Sequence, residues 1–272
     1  MKLRLKLVPY TRVYISRLCK VRVVYEGLGA SMQGLTDIHT HILPGVDDGA
    51  KNSSISMEML KIAWKDGIRQ IILTPHNKPM RHNVSPESMH KIAEEMTKKA
   101  LAQGMEFKFL LGNEFYYRSD LSEVLDGGNV CTMADSAYVL IEFGPMDDFE
   151  YIRGGVYQIL AGGYRPIVAH VERYQCILSK PQRVEELKEM GAYIQVNAGS
   201  IMGQYGFNAK HVTRKLLKQK LIHFVASDAH DTEKRAPRLS ECAKYISKKY
   251  GEDIMQQLFY ENPKKLIADD YI

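Results

Sequence analysis

The chain reads as an α/β protein whose repeated strand–helix units close into a barrel, and three observations carry that expectation. From Leu35 onward, short apolar runs alternate with longer amphipathic ones, the pattern of βα units around a parallel sheet. The length of 272 residues suits one α/β barrel, or two small domains, with a full core. Nearly all side chains of metal-ligand type fall at the C-terminal ends of the apolar runs, where barrel enzymes build their active sites.

Seven strand positions follow in order. Residues 35–39 form the first, and the helix after it covers 53–66, with Ser53 or Ser54 as cap and Gly67 as stop. The second is 70–74 (QIILT), followed by a helix over 85–102 with Pro86 in its first turn, where a missing N–H is harmless. Residues 107–112 are the third, with an irregular stretch and a short helix near Leu121 behind them. The fourth, 137–143 (AYVLIEF), leads to a helix over 149–161 ended by Gly162 and Gly163. The fifth is 165–170, its helix 181–190 closed by Gly191. Residues 192–196 and 222–227 are the sixth and seventh, separated by a helix over 210–220, and a helix near 239–250 opens the tail. No linker, low-complexity tract or internal repeat interrupts the series.

Apolar content of 45% and charged content of 25% are ordinary for a globular chain and call for neither disorder nor a membrane. The net charge of +5 would suggest an anionic partner such as nucleic acid, but residues 1–34 alone carry +6 and the remainder −1. The near-neutral body therefore argues against nucleic-acid binding. Lys or Arg breaks the leader every few residues, leaving no apolar run for a signal peptide or a membrane span. It reads as a basic extension, 1–34, ahead of a domain at 35–272, either an added arm or sequence upstream of a natural start at Met32. Four cysteines without CxxC spacing fit a reduced, cytoplasmic protein.

Residues 36–49, TDIHTHILPGVDDG, hold two histidines and three carboxylates. In an extended segment Asp37, His39 and His41 project from one face and can converge on one ion. Pro44, Gly45 and the Asp47–Asp48 pair before Gly49 make an acidic loop that a structural turn does not need. Other strand ends supply His76 (TPH), Glu114 (GNE), Glu142, His170, and Asp228 with His230 (SDAH). With Asp48 that makes nine candidate ligands, five His and four carboxylates, and burying them together would be costly without cations. Nine donors imply two or three ions, and imidazole with carboxylate suits manganese, iron or zinc. His82, His90, His211 and His223 lie in helices, loops or a strand interior and are assigned to ordinary structure.

Taken in order, DIHTH, VDDG, TPH, GNE, IEF, AHVERY and SDAH resemble the PHP family (polymerase and histidinol phosphatase), most closely its bacterial metal-dependent protein tyrosine phosphatases of capsule and exopolysaccharide synthesis. The resemblance runs from Leu35 to the C-terminus and leaves out the leader. It implies a distorted seven-stranded (β/α)7 TIM-like barrel with a trinuclear site. His39, His41, Glu114 and Asp228 would hold the first ion, Glu114 would bridge to a second with Glu142 and His170, and Asp48, His76 and His230 would take the third. Arg173, within HVERY, and Arg235 would bind the phosphate. Manganese is the first expectation, with iron and zinc as alternatives. The implied partner is a phosphotyrosine protein, the tyrosine-rich tail of a bacterial tyrosine kinase, and the question of a homo-oligomer stays open.

Such a cluster suits phosphate monoesters, because divalent ions lower the pKa of water and clamp the phosphoryl oxygens. None of the four cysteines has Arg six positions later, so a cysteine-based phosphatase loop is absent from the sequence. Arg173 offers a permanently charged fork to the phosphate, the alternative being an ion pair with Glu172. Phe115, Tyr116, Phe143 and Tyr174 are candidates to flank a substrate ring or simply to pack. A PHP phosphatase of histidinol phosphate shares the same metal site and is the first alternative. An amidohydrolase also begins with HxH, but commonly uses a bridging carbamylated Lys where this chain has Glu142. The third is a nucleic-acid binder driven by the leader.

Overall fold

The computed structural model describes residues 34–272, so the basic extension, apart from Gly34, and Cys19 lie outside the described residues. β1 spans Leu35–Thr40, and α1 (Ser53–Lys65) is capped by Asn52 rather than by a serine, its side chain accepting the Ile55 N–H at 3.0 Å. β2 (Ile68–Leu73) and β3 (His76–Asn77) precede α2 (Pro86–Leu101), which Ser85 caps. Next come β4 (Lys108–Leu111), β5 (Glu114–Tyr116), α3 (Leu121–Asp126) and β6 (Tyr138–Glu142). Asp148 caps α4 (Phe149–Ala161), and β7 (Arg165–Val168), α5 (Gln175–Ser179) and α6 (Arg183–Glu189) follow. β8 (Tyr193–Asn197), α7 (Ala198–Met202), α8 (Phe207–Lys218) and β9 (Phe224–Ala226) complete the sheet. The tail is α9 (Ser240–Tyr250), α10 (Glu252–Gln256), a π-helical turn (Gln257–Glu261) and α11 (Asn262–Ile267).

Every strand pairing is parallel. The seven expected strands appear as nine shorter strands among the described residues because two of them break. β2 stops at Leu73 and resumes as β3 after Pro75, which has no N–H to give to a ladder. β4 breaks beside it at Gly112 and Asn113, whose side chain donates to the Pro75 carbonyl at 3.1 Å. The orders β1-β2-β4 and β3-β5-β6-β7-β8-β9 thus join into one circuit of seven strand positions. It closes where His41 N donates to Ala229 O at 2.9 Å and Asp228 N to His39 O at 3.0 Å. This is the distorted barrel that the family resemblance implied.

β1 departs from the expected alternation. Its register against β2 slips between Asp37 and Thr40, where three steps on β1 match two on β2. Such a bulge re-aims side chains. Ile38 joins the apolar interior, His39 and His41 face the mouth, and Asp37 turns to the closing seam, where its Oδ1 accepts the Ser227 N–H at 3.0 Å. The expectation that Asp37 shares a face with both histidines is therefore corrected: the bulge separates it from them.

Two apolar layers hold the barrel. The larger lies between sheet and helices; the smaller fills the interior with Ile38, Ile72, Tyr138, Leu140, Ile167, Tyr193 and Phe224, and Leu266 of α11 joins it. Each such side chain, fully buried, contributes about 1.5–3 kcal/mol. The same inward faces continue upward as polar residues: Tyr138 and Leu140 lead to Glu142, Tyr193 leads to Gln195 and Asn197, and Phe224 leads to Asp228.

Candidate metal centre

The nine sequence-predicted ligands come together at the C-terminal mouth. Their donor atoms form four overlapping groups, each with members within 4.8 Å of one another: His41, Asp48, His76 and His230; His39, His41 and Asp228; His39, Glu114 and His170; His76, Glu114 and Glu142. Glu114 sits at the centre. One of its oxygens lies 2.7 Å from His170 Nε2 and 3.3 Å from His39 Nε2, the other 2.9 Å from His76 Nδ1 and 3.3 Å from His41 Nε2. Asp48 closes the outer side, 3.2 Å from His76 Nε2 and 3.5 Å from His230 Nε2.

Backbone geometry aims these groups. The acidic loop folds back so that Ala50 N donates to His41 O at 3.0 Å, and a Cβ at Gly49 would lie 2.0 Å from that oxygen, so only glycine fits. His170 and Asp228 adopt left-handed backbone at φ 30° and 52°, unusual for residues other than glycine. Such conformations concentrate where a site demands them.

Neighbours orient three of the rings through Nδ1. His41 Nδ1 meets Asp47 Oδ2 at 2.7 Å, His39 Nδ1 meets Gln195 Oε1 at 3.2 Å, and His230 Nδ1 meets the Asp228 carbonyl at 2.9 Å. Each leaves Nε2 facing the cluster, the arrangement that metal-binding histidines use. His39 Nε2 and His41 Nε2 stand 3.2 Å apart. Two nitrogens that each bond one ion at about 2.0–2.1 Å come to roughly that separation. Five buried atoms of the cluster lack a well-aligned hydrogen bond: His76 Nδ1, Glu114 Oε2, Glu142 Oε1, His170 Nδ1 and Asp228 Oδ1. Buried polar atoms are normally satisfied, and the lone pairs of His76 Nδ1, Glu114 Oε2, Glu142 Oε1 and Asp228 Oδ1, left without aligned donors at the mouth, fit divalent cations.

The electrostatics agree. Burial favours neutral imidazole, yet hydrogen bonds to Asp47 and Glu114 push His41 up to about 9. Against the same burial penalty, Asp48, Glu114 and Glu142 push His76 up to about 12. Burial would raise Glu114, but His39 and His170 hold it well below the carboxylate range. Without metal ions, protons on His39, His41 and His76 neutralise the carboxylates, in positions where cations would do so.

Arg173 and Arg235 converge on one atom, Asp228 Oδ2, at 3.4 and 2.7 Å, and Asn197 Nδ2 donates to it at 2.8 Å. Arg173 does not pair with Glu172, which is buried and accepts the Asn197 N–H at 2.8 Å. Half of the Arg173 side chain, 51%, stays open to solvent at the rim. Sequence reasoning marked Asp47 only as part of the acidic loop, and missed Gln195 and Asn197 as organisers of the site. The inward alternation of β8 was the available signal for the two amides. Of the aromatics named as ring-flanking candidates, Phe115, Phe143 and Tyr174 are buried and pack; the Tyr174 hydroxyl donates to Ala169 O at 2.8 Å. Tyr116 is partly exposed. Of the other histidines, His211 stacks on Phe207 and His223 accepts the Ile194 N–H at 2.9 Å.

Over residues 35–268 the chain matches the family described as capsular polysaccharide synthesis, CpsB/CapC. It is 33% identical over 243 residues to the tyrosine-protein phosphatase CpsB of Streptococcus agalactiae serotype V, covering 88% of this chain and 100% of that one. To the tyrosine-protein phosphatase YwqE of Bacillus subtilis it is 34% identical over 239 residues, covering 88% and 93%. Among solved structures it is similar to one from work on YwqE of Bacillus subtilis and CpsB of Streptococcus pneumoniae, described as unique metal-dependent tyrosine phosphatases. The TM-score is 0.82 at 33% identity, over 87% of this chain and 96% of that one.

Proposed function

We infer the function of this chain from its membership: it belongs to the CpsB/CapC family of capsular polysaccharide synthesis. It is a metal-dependent phosphatase that hydrolyses phosphotyrosine in proteins. The observation that carries this reading is the barrel mouth where nine histidines and carboxylates converge in four overlapping groups.

In this reading His39, His41, Asp48, His76, Glu114, Glu142, His170, Asp228 and His230 hold two or three divalent ions, manganese first among them. The contacts of Glu114 with four imidazoles support a bridging role for it. Bound metal supplies a nucleophile from water near neutral pH and charge for the phosphoryl oxygens. The protein's own contribution is positional. Asp47, Gln195 and the Asp228 carbonyl fix the ring tautomers, and Arg173 and Arg235 present guanidinium N–H groups to the phosphate as charge develops on it. A phenolate leaving group, with a pKa of about 10, needs less acid assistance than an alkoxide.

The substrate we propose is the tyrosine-rich tail of a bacterial tyrosine kinase, met in the cytoplasm by a catalytic domain spanning 35–272. Among the described residues no helix is long and apolar enough to cross a membrane. The test is phosphate release from a phosphotyrosine peptide and from histidinol phosphate, side by side, on metal-stripped protein with manganese added back. Manganese-dependent release from the peptide alone is expected. Turnover of the small ester alone would keep the metal centre and overturn the substrate.

A further inference from the structure

We propose that Tyr205 is a specificity-determining residue whose open ring face receives the aryl ring of a phosphotyrosine while the phosphoryl group rests on Arg173 and Arg235. The proposal builds on the phosphatase reading and adds to it a wall that selects aryl esters.

Tyr205 lies in the loop between α7 and α8, flanked by Gly203 and Gly206, whose φ angles of 96° and 91° bend the chain back over α7. One side of its ring lies on Gly199. A Cβ there would come within 2.8 Å of Tyr205 Cε2 and 2.4 Å of Gln204 Oε1, so glycine at 199 is what lets the ring settle. Gly199 follows closely on Asn197, whose amide holds Asp228. The phenol faces Arg235 and shares the neighbourhood of Asp228 and Arg173, and burial leads the effects that raise its pKa. The side chain is nevertheless 41% exposed.

The remaining aromatics do not offer the same position. Phe115, Phe143 and Tyr174 are at most 2% exposed and closed to a ligand. Tyr116 stands beside Asp147, which lies outside the ligand set and repels a phosphate dianion. Tyr205 instead stands beside two guanidinium groups. A phosphoryl group held by those arginines leaves its ester substituent pointing outward along the mouth, where an offset-stacked or edge-on partner is available.

Calorimetric titration of the manganese-loaded full chain with phenylphosphonate and with methylphosphonate tests this without needing turnover. The aryl-over-methyl ratio of dissociation constants should shrink about five- to tenfold in Tyr205→Leu. It should survive in Tyr205→Phe, which keeps the ring. Gly199→Ala, which displaces the ring without changing it, should reproduce the leucine result, and Tyr157→Leu on the exposed face of α4 should match wild type. An unchanged ratio in both Tyr205→Leu and Gly199→Ala overturns the proposal. So does equal weakening of both phosphonates, since Tyr205 would then only prop Arg235. A wild-type protein that releases no phosphate from the peptide overturns the phosphatase reading instead, and leaves the phosphonate ratio to decide on Tyr205 by itself.

Discussion

Phe224 and Asp228 stand four residues apart on one stretch of chain and are equally closed to water, at 0% and 1% exposure. The lower one is part of an apolar plug with Ile38, Ile72, Tyr138, Leu140, Ile167 and Tyr193, held by dispersion and excluded water, with the Tyr138 hydroxyl reaching out to the Asp270 carbonyl. The upper one is part of a layer of imidazoles and carboxylates, several of whose buried atoms have no aligned partner. Burial alone therefore says little about what a barrel layer needs. The plug is stabilised by packing whether or not ions are bound; the mouth is stabilised by cations, or by protons taking their place.

The largest effect expected from this contrast comes from metal removal. Chelation should lower phosphotyrosine-peptide turnover by more than about a thousandfold. Circular dichroism of the stripped protein should still report a folded barrel, and global unfolding on chelation would break the distinction between the layers. Next in size is Arg173→Ala, expected to lower kcat about a hundredfold while metal content by mass spectrometry stays put. An unaltered kcat would remove Arg173 from the site. Asp47→Asn loosens His41 and His76 together and should weaken metal affinity about ten- to a hundredfold in competition with a chelator.

A pH profile sharpens the comparison further. In the metal-free protein His41 binds its proton more tightly folded, at about 9, than at the ordinary 6.5. The stability it gives is complete below 6.5 and is lost as pH rises towards 9. The unfolding free energy of the chelated protein, from denaturant titration, should therefore fall across that window, by up to about 1.4 kcal/mol per pH unit for such a ring. Metal affinity should rise across it, as ions displace those protons. A flat profile for the chelated protein would show that the mouth does not rely on ring protons. The smallest effect belongs to the plug: Ile167→Val should cost about 1 kcal/mol of unfolding free energy and leave metal affinity alone.

Much of this was legible in the chain. Strand-end histidines and acids mark the mouth because imidazole and carboxylate have few other reasons to gather at the ends of apolar runs. The bulge in β1 left no trace, since the LTDIHT pattern reads as ordinary alternation and the slip arises from pairing with β2. Gln195 and Asn197 escaped notice because neutral amides are not ligand types, and their role depends on which face of β8 closes on His39 and Asp228. The short helices α5 and α7 are too brief to show a helical period, and follow from where the chain turns at the mouth. The breaks that split the second and third strands hinge on Pro75, visible in the sequence, and on its carbonyl being taken by Asn113, which is not.

Asp228 joins the two halves of the proposed machinery in one side chain: Oδ1 looks toward His39 and His41 at 3.6 Å, and Oδ2 receives Arg173, Arg235 and Asn197. Substitutions at these positions will consequently not combine additively, because each changes the partner that the others share. Over evolutionary time such a carboxylate acts as a ratchet. A lineage that replaces either arginine inherits an altered Asp228, and the route back is open only while the remaining partners still hold it in place.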